Sequence, residues 1–183
     1  KGSGMAVAFE RQKNILSKQN IFFTEDPSIP TNIFQADTPG LRTLWLMKKF
    51  KKQNKKVIIY AHMIAEQFED GSFRFLGFLK PLIKKYFAYI FNLADLVICP
   101  SEYTARLLNE NYNIAKEKTA AISCGVDINK FRLDISKRKN FRKEHDIKEN
   151  DLLIINTAMA IKRKGIDTFI EMSKLFPDIK FIW

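Results

Sequence analysis

Cysteine is scarce in this chain, with only Cys99 and Cys124 in 183 residues. Two cysteines cannot build a disulfide framework or a cysteine metal cluster, so a reducing cytoplasm is the expected compartment. No metal-ligand spacing, no Ser-His-Asp order and no P-loop is present, which leaves no sequence basis for a metal or for a serine nucleophile. Long apolar runs are missing as well. No stretch reaches the roughly 18 residues that a membrane-spanning helix needs, and no signal peptide is visible. Glycine is sparse, at seven residues. The Gly2-Ser3-Gly4 pair falls short of a full dinucleotide fingerprint, because Ala6 stands where a further spaced glycine is expected.

What the chain has in quantity is positive charge, a formal +11 at pH 7. Such an excess favours anionic partners, among them nucleic acid, phosphorylated small molecules and acidic membrane surfaces; its plainer explanation is a lysine-rich solvated surface. With 46% apolar and 28% charged residues, the chain can build a core and stay soluble. Its length fits one large domain, or one domain and part of another. It begins with Lys1 in a glycine-rich turn entering a helix and closes on Phe181-Ile182-Trp183, inside what reads as a strand. A fragment of a longer protein is therefore expected.

Short apolar strands alternate with helices throughout. Helices are predicted over 5–18, 39–50, 81–91, 101–111, 137–145 and 166–175. Strands are predicted over 21–24, 32–35, 57–61, 96–98, 119–123 and 152–155. Val57-Ile58-Ile59-Tyr60-Ala61 and Leu152-Leu153-Ile154-Ile155 have the continuous apolar character of parallel strands buried on both faces. Pro81 suits the first position of its helix, and Ser101 suits a helix N-cap. Residues 128–150 are polar and highly charged, a composition shift that marks a domain boundary. The pattern is α/β with parallel sheets, in which ligands bind beyond the carboxyl ends of the strands. His62, Ser101, Gly125 and Lys164 all follow predicted strands.

Each candidate has two readings. His62 is an acid/base or phosphate-contacting group, or a structural histidine; His145, in the charged segment, reads as surface. Lys162, Arg163 and Lys164 before Gly165 stand where a strand leads into a helix N-terminus, a place for a phosphate or diphosphate, or they are a charged loop. Ser3 and Gly4 could cradle a phosphate or simply turn the chain. Asp95 and Asp127 lie beside turns and can cap local backbone. The basic, aromatic stretch 73–91 fits an anionic bilayer or a core helix with one wet edge.

Three stretches taken in order, Ala94-Asp95-Leu96-Val97-Ile98-Cys99-Pro100-Ser101, Gly125-Val126-Asp127-Ile128-Asn129-Lys130-Phe131 and Lys164-Gly165-Ile166-Asp167, resemble the retaining glycosyltransferases of family four. The Gly-Ser-Gly entry, Tyr60-Ala61-His62, the Lys-Arg-Lys-Gly stretch and the closing Lys180-Phe181-Ile182-Trp183 look more narrowly like bacterial enzymes that glycosylate monoglucosyl-diacylglycerol. The resemblance implies the GT-B architecture, two Rossmann-like domains with parallel sheets. Here that gives an N-terminal acceptor-binding domain over 1–127, lacking its first strand, and the start of a nucleotide-sugar domain over 128–183.

It also implies transfer of a hexose, with retention, from a nucleotide-sugar such as a UDP-sugar to a membrane glycolipid. His62 would lie near the transferred sugar. Ser3, Gly4, Arg163, Lys164 and Gly165 would hold the donor diphosphate, with Lys164 neutralising it. No metal or other cofactor is implied. The expected location is the inner face of the cell membrane, held peripherally through 73–91, with no nucleic-acid partner. The alternatives are a capsule or exopolysaccharide transferase and a basic, non-enzymatic nucleic-acid-binding module. Three departures from the family stand out. Ala158-Met159 replaces a Gly-Arg pair, a loss for which Arg163 is the substitute at hand. Cys124 replaces an asparagine. The glutamate-rich segment that binds the donor ribose would lie beyond Trp183, so the fragment alone is expected to be inactive.

Overall fold

The computed structural model describes residues 4–68 and 79–183. Two compact units are present, one running to Gly125 and one from Val126 onward.

The first unit holds a four-stranded sheet of β1 (Ile33–Ala36), β2 (Lys56–Tyr60), β3 (Leu96–Cys99) and β4 (Thr119–Ala121). The strands lie in that order and all are parallel. Parallel neighbours need crossovers, here supplied by α2 (Leu41–Lys52), α3 (Lys80–Leu93) and α4 (Glu102–Tyr112). α1 (Gly4–Lys18) precedes the sheet. Val57 and Ile59 of β2 and Val97 and Cys99 of β3 are fully buried against Met47 and Phe50 of α2, Phe87, Ile90 and Phe91 of α3, and Leu108 of α4. Ser101 caps α4, its Oγ accepting the Thr104 N–H at 3.2 Å, and Pro81 sits in the first turn of α3.

At the amino-terminal edge of this sheet Asp95 acts as a staple. It accepts the Val57 N–H at 2.8 Å and the Lys51 ammonium at 2.9 Å, with Lys56 at 3.8 Å. Burial pushes its carboxyl up, yet Lys51, the Val57 amide and Lys56 together hold it below the usual carboxylate range. Asp127 also caps backbone, accepting the Asn129 and Lys130 N–H groups at 3.0 and 3.1 Å.

The second unit contains α5 (Ile135–Glu144), β5 (Leu153–Ile155), α6 (Ile166–Leu175) and β6 (Lys180–Ile182). β5 and β6 pair in parallel. Asp134 caps α5 through the Lys137 N–H, and His145 is exposed against the ring of Phe141. Phe169 of α6 packs edge-on to Phe181 and Trp183, both with centroids at 5.2 Å.

Two expectations do not hold. Residues 21–24 form no strand, and Phe22 is 74% exposed. Apolar β-propensity makes a strand only where a neighbour offers its hydrogen bonds, and no described strand lies beside this segment. Leu153 to Ile155 does pair, but the stretch is not buried on both faces: Leu152 and Ile155 are 60% and 50% exposed, so the described residues do not cover both faces of β5.

Candidate functional site

The carboxyl ends of the first sheet gather polar side chains. Asp37 follows β1, His62 follows β2, and Ser123, Cys124 and Gly125 follow β4. The sheet delivers His62 directly, since the Ala61 N–H still bonds the Ile98 carbonyl at 2.8 Å before the chain leaves the ladder. The imidazole is 9% exposed, stacks on the Tyr60 ring at 5.3 Å and has its Nε2 4.0 Å from Asp37 Oδ1. Among the described residues that Nε2 is a buried nitrogen with no hydrogen-bond partner. Buried polar atoms are normally satisfied, so an open imidazole nitrogen at a strand end fits a ligand better than a purely structural role.

Burial pushes the Asp37 carboxyl above its ordinary range, against the opposing pull of Gln12 and of His62 when charged. Burial also pushes the Tyr60 phenol up, helped by the charges of Asp37 and Cys124. A second tier comes from α1. Gln12 Nε2 lies 3.4 Å from Asp37 Oδ1, Gln35 donates to Gln12 Oε1 at 2.7 Å, and the Arg11 guanidinium donates to the Gly125 carbonyl at 2.8 Å. Sequence reasoning missed Arg11 and Gln12. Two adjacent long polar residues on a helix carry no signal until the helix is docked.

Ser101, which also follows a strand, uses its hydroxyl as a helix cap. Gly4 is the first residue of α1, and Ser3 lies outside the described residues.

The second unit brings Arg163, Lys164 and Gly165 together on one turn. Lys162 to Lys164 form a single 3-10 turn, and Gly165, at φ 81°, ends it and begins α6. A glycine tolerates that left-handed backbone at no steric cost. It also offers no side chain to cap the helix, and no side-chain cap bond is made there, so the first-turn N–H groups of α6 stay available to an anion. Lys162 and Lys164 are exposed and carry no ion pair among the described residues. Asp167 lies in the same first turn and works against an anion. Behind the turn, Trp183 Nε1 donates to the Ala158 carbonyl at 3.1 Å, and Met159 is 65% exposed. Among the described residues no group of three or more His, Cys, Asp or Glu could hold a metal, and no helix is long and apolar enough to cross a membrane.

Helices crossing between parallel strands, with polar groups collected past the strand ends, define an α/β protein with parallel sheets. The chain belongs to glycosyltransferase family 4, whose profile matches residues 24–130. It is 31% identical over its whole length to the processive diacylglycerol alpha-glucosyltransferase of Acholeplasma laidlawii, covering 53% of that protein. It is 27% identical to the alpha-galactosylglucosyldiacylglycerol synthase of Streptococcus pneumoniae, covering 49%. The chain thus spans about half the length of these curated relatives. Among solved structures it is similar in fold to HepE from Anabaena in complex with UDP-glucose, with a TM-score of 0.66 and 16% identity over 100% of this chain and 57% of that one. It is also similar to a glycosyltransferase from Rickettsia africae, with a TM-score of 0.54 and 20% identity over 96% and 42%.

Proposed function

We propose that the protein containing this chain moves a hexose from a UDP-sugar to a diacylglycerol glycolipid with retention. The unit up to Gly125 handles the acceptor and the unit beyond it binds the donor. The observation that carries this reading is whole-chain similarity to two proteins named for diacylglycerol glycolipid synthesis. Negative charge grows on the departing diphosphate as the glycosidic bond breaks. A fixed cation and free N–H groups aid the reaction most if they meet that charge in the transition state. Lys164 and the uncapped start of α6 have that chemistry, with Arg163 adjacent in sequence and Ser3 and Gly4 as further donor contacts. His62, with its open Nε2, is the group for a hydroxyl of the transferred sugar or a donor phosphate oxygen.

Contact with an anionic membrane at the inner face of the cell membrane belongs to the same proposal. α2 and α3 together carry eight Lys or Arg and no Asp or Glu. Leu41, Trp45, Leu82 and Tyr89 are exposed on them, and Lys48 of α2 sits 5.3 Å from the Tyr89 ring centroid of α3. Exposed aromatics among cations suit the interface of an anionic bilayer. Of the stretch 73–91, residues 73–78 lie outside the described residues.

Full-length protein incubated with labelled UDP-glucose or UDP-galactose and glycolipid vesicles should yield a longer glycolipid, and it should float with phosphatidylglycerol vesicles. No labelled glycolipid from either donor overturns the reading. Transfer without flotation favours a soluble or polyprenyl-linked acceptor, as in capsule synthesis.

A further inference from the structure

Nothing described fixes the His62 imidazole through Nε2, so its position depends on stacking and on the backbone that carries it. That backbone leaves the sheet after Ala61 and runs through Ile64, buried, to a 3-10 turn beginning at Ala65. Among the described residues, the side-chain hydrogen bonds reaching residues 63–66 both involve one phenol. Tyr112, the last residue of α4, accepts the Ala65 N–H at 2.9 Å and donates its own proton to Glu66 Oε2 at 2.6 Å. The ring is 2% exposed, meets Phe91 edge-on at 6.4 Å, and has the Lys84 ammonium 5.3 Å from its centroid. An oxygen held by α3 and α4 thus grips the chain three and four residues beyond His62.

We propose that Tyr112 is a positioning residue, whose hydroxyl sets the place of His62 by pinning Ala65 and Glu66. This inference rests on the role given to His62 in the proposed transfer. It needs no contact between Tyr112 and substrate. A displacement of about an ångström in a reacting group can lower a rate a hundredfold.

Tyr112→Phe keeps the packed ring and removes only the grip. In the full-length protein it should lower kcat about tenfold or more, with the KM for the UDP-sugar unchanged. Glu66→Gln, which keeps an oxygen to accept the phenol proton, should restore most of the rate lost in Glu66→Ala. In a His62→Ala background Tyr112→Phe should cause no further loss. Independently of activity, amide exchange over residues 61–68 should speed up at least tenfold in Tyr112→Phe, with the rest of α4 unchanged. Unchanged exchange there overturns the proposal. So does a wild-type kcat in Tyr112→Phe, or a loss that multiplies fully with that of His62→Ala. Absence of any transfer by the wild type instead counts against the reaction, and the exchange experiment still decides whether the phenol pins the segment.

Discussion

His62 and Lys164 both sit in connections that follow parallel strands, and the molecule fixes them by opposite means. His62 is enclosed: its ring lies on Tyr60, faces Asp37 and is almost out of water. Lys164 is exposed, on a turn shaped by the left-handed backbone of Gly165 and closed by local bonds, Lys164 N–H to Ile161 and Gly165 N–H to Lys162, both at 2.9 Å. The first place is made by tertiary packing and the second by local backbone geometry. Substitutions should therefore separate activity from stability at one and entangle them at the other.

The largest effect is expected at the exposed group. Lys164→Ala should lower kcat by about 10²–10³, the range for losing one preorganised partner of developing charge, with no change in thermal midpoint. Steady-state kinetics beside calorimetry checks this, and a wild-type rate removes Lys164 from the reaction. His62→Ala should cost about 10²-fold in rate and also lower the midpoint, because an enclosed ring is lost. Equal midpoints for the two variants would break the contrast.

Asp95→Asn is the stability counterpart. Losing charge-assisted bonds to Lys51 and Val57 should cost about 1–3 kcal/mol in denaturant unfolding and leave KM alone. Gly165→Ala meets no atom within 4 Å, so its cost should be pure backbone strain of about 1–2 kcal/mol, together with weaker UDP binding by titration calorimetry. The smallest effect is at Asp37. An acid whose folded pKa is raised supports the fold fully only below its unfolded pKa of about 4, and loses that contribution as pH rises through the folded value. Asp37→Asn should melt higher than wild type at pH 7 and converge with it below about pH 4.

The sheet was legible wherever a run of β-branched residues lies between two neighbours, as in Val57 to Tyr60. It was misread where neighbours are few. Ile21 to Thr24 has the same local character and forms no strand, and Leu153 to Ile155 forms one without being buried. Glycine and charge made the Lys164 turn readable, since φ preference and helix entry are local properties. The surroundings of His62 were not readable. Asp37 and Tyr112 are separated from it by 25 and 50 positions and meet it or its segment only after the crossovers dock, and Gln12 reaches the site only through Asp37. Asp127 caps local backbone as its place beside a turn suggests, whereas Asp95 instead binds Lys51 and Val57, about 40 positions away.

Asp95 binds the first sheet at the edge remote from His62, with a lysine from α2 and an amide from the neighbouring strand β2. The two rims of one sheet are thereby open to separate selection. Residues at the carboxyl rim can drift toward a new ligand while the fold is held at the other rim, and a lineage can change what that rim binds without first acquiring compensating mutations in its core.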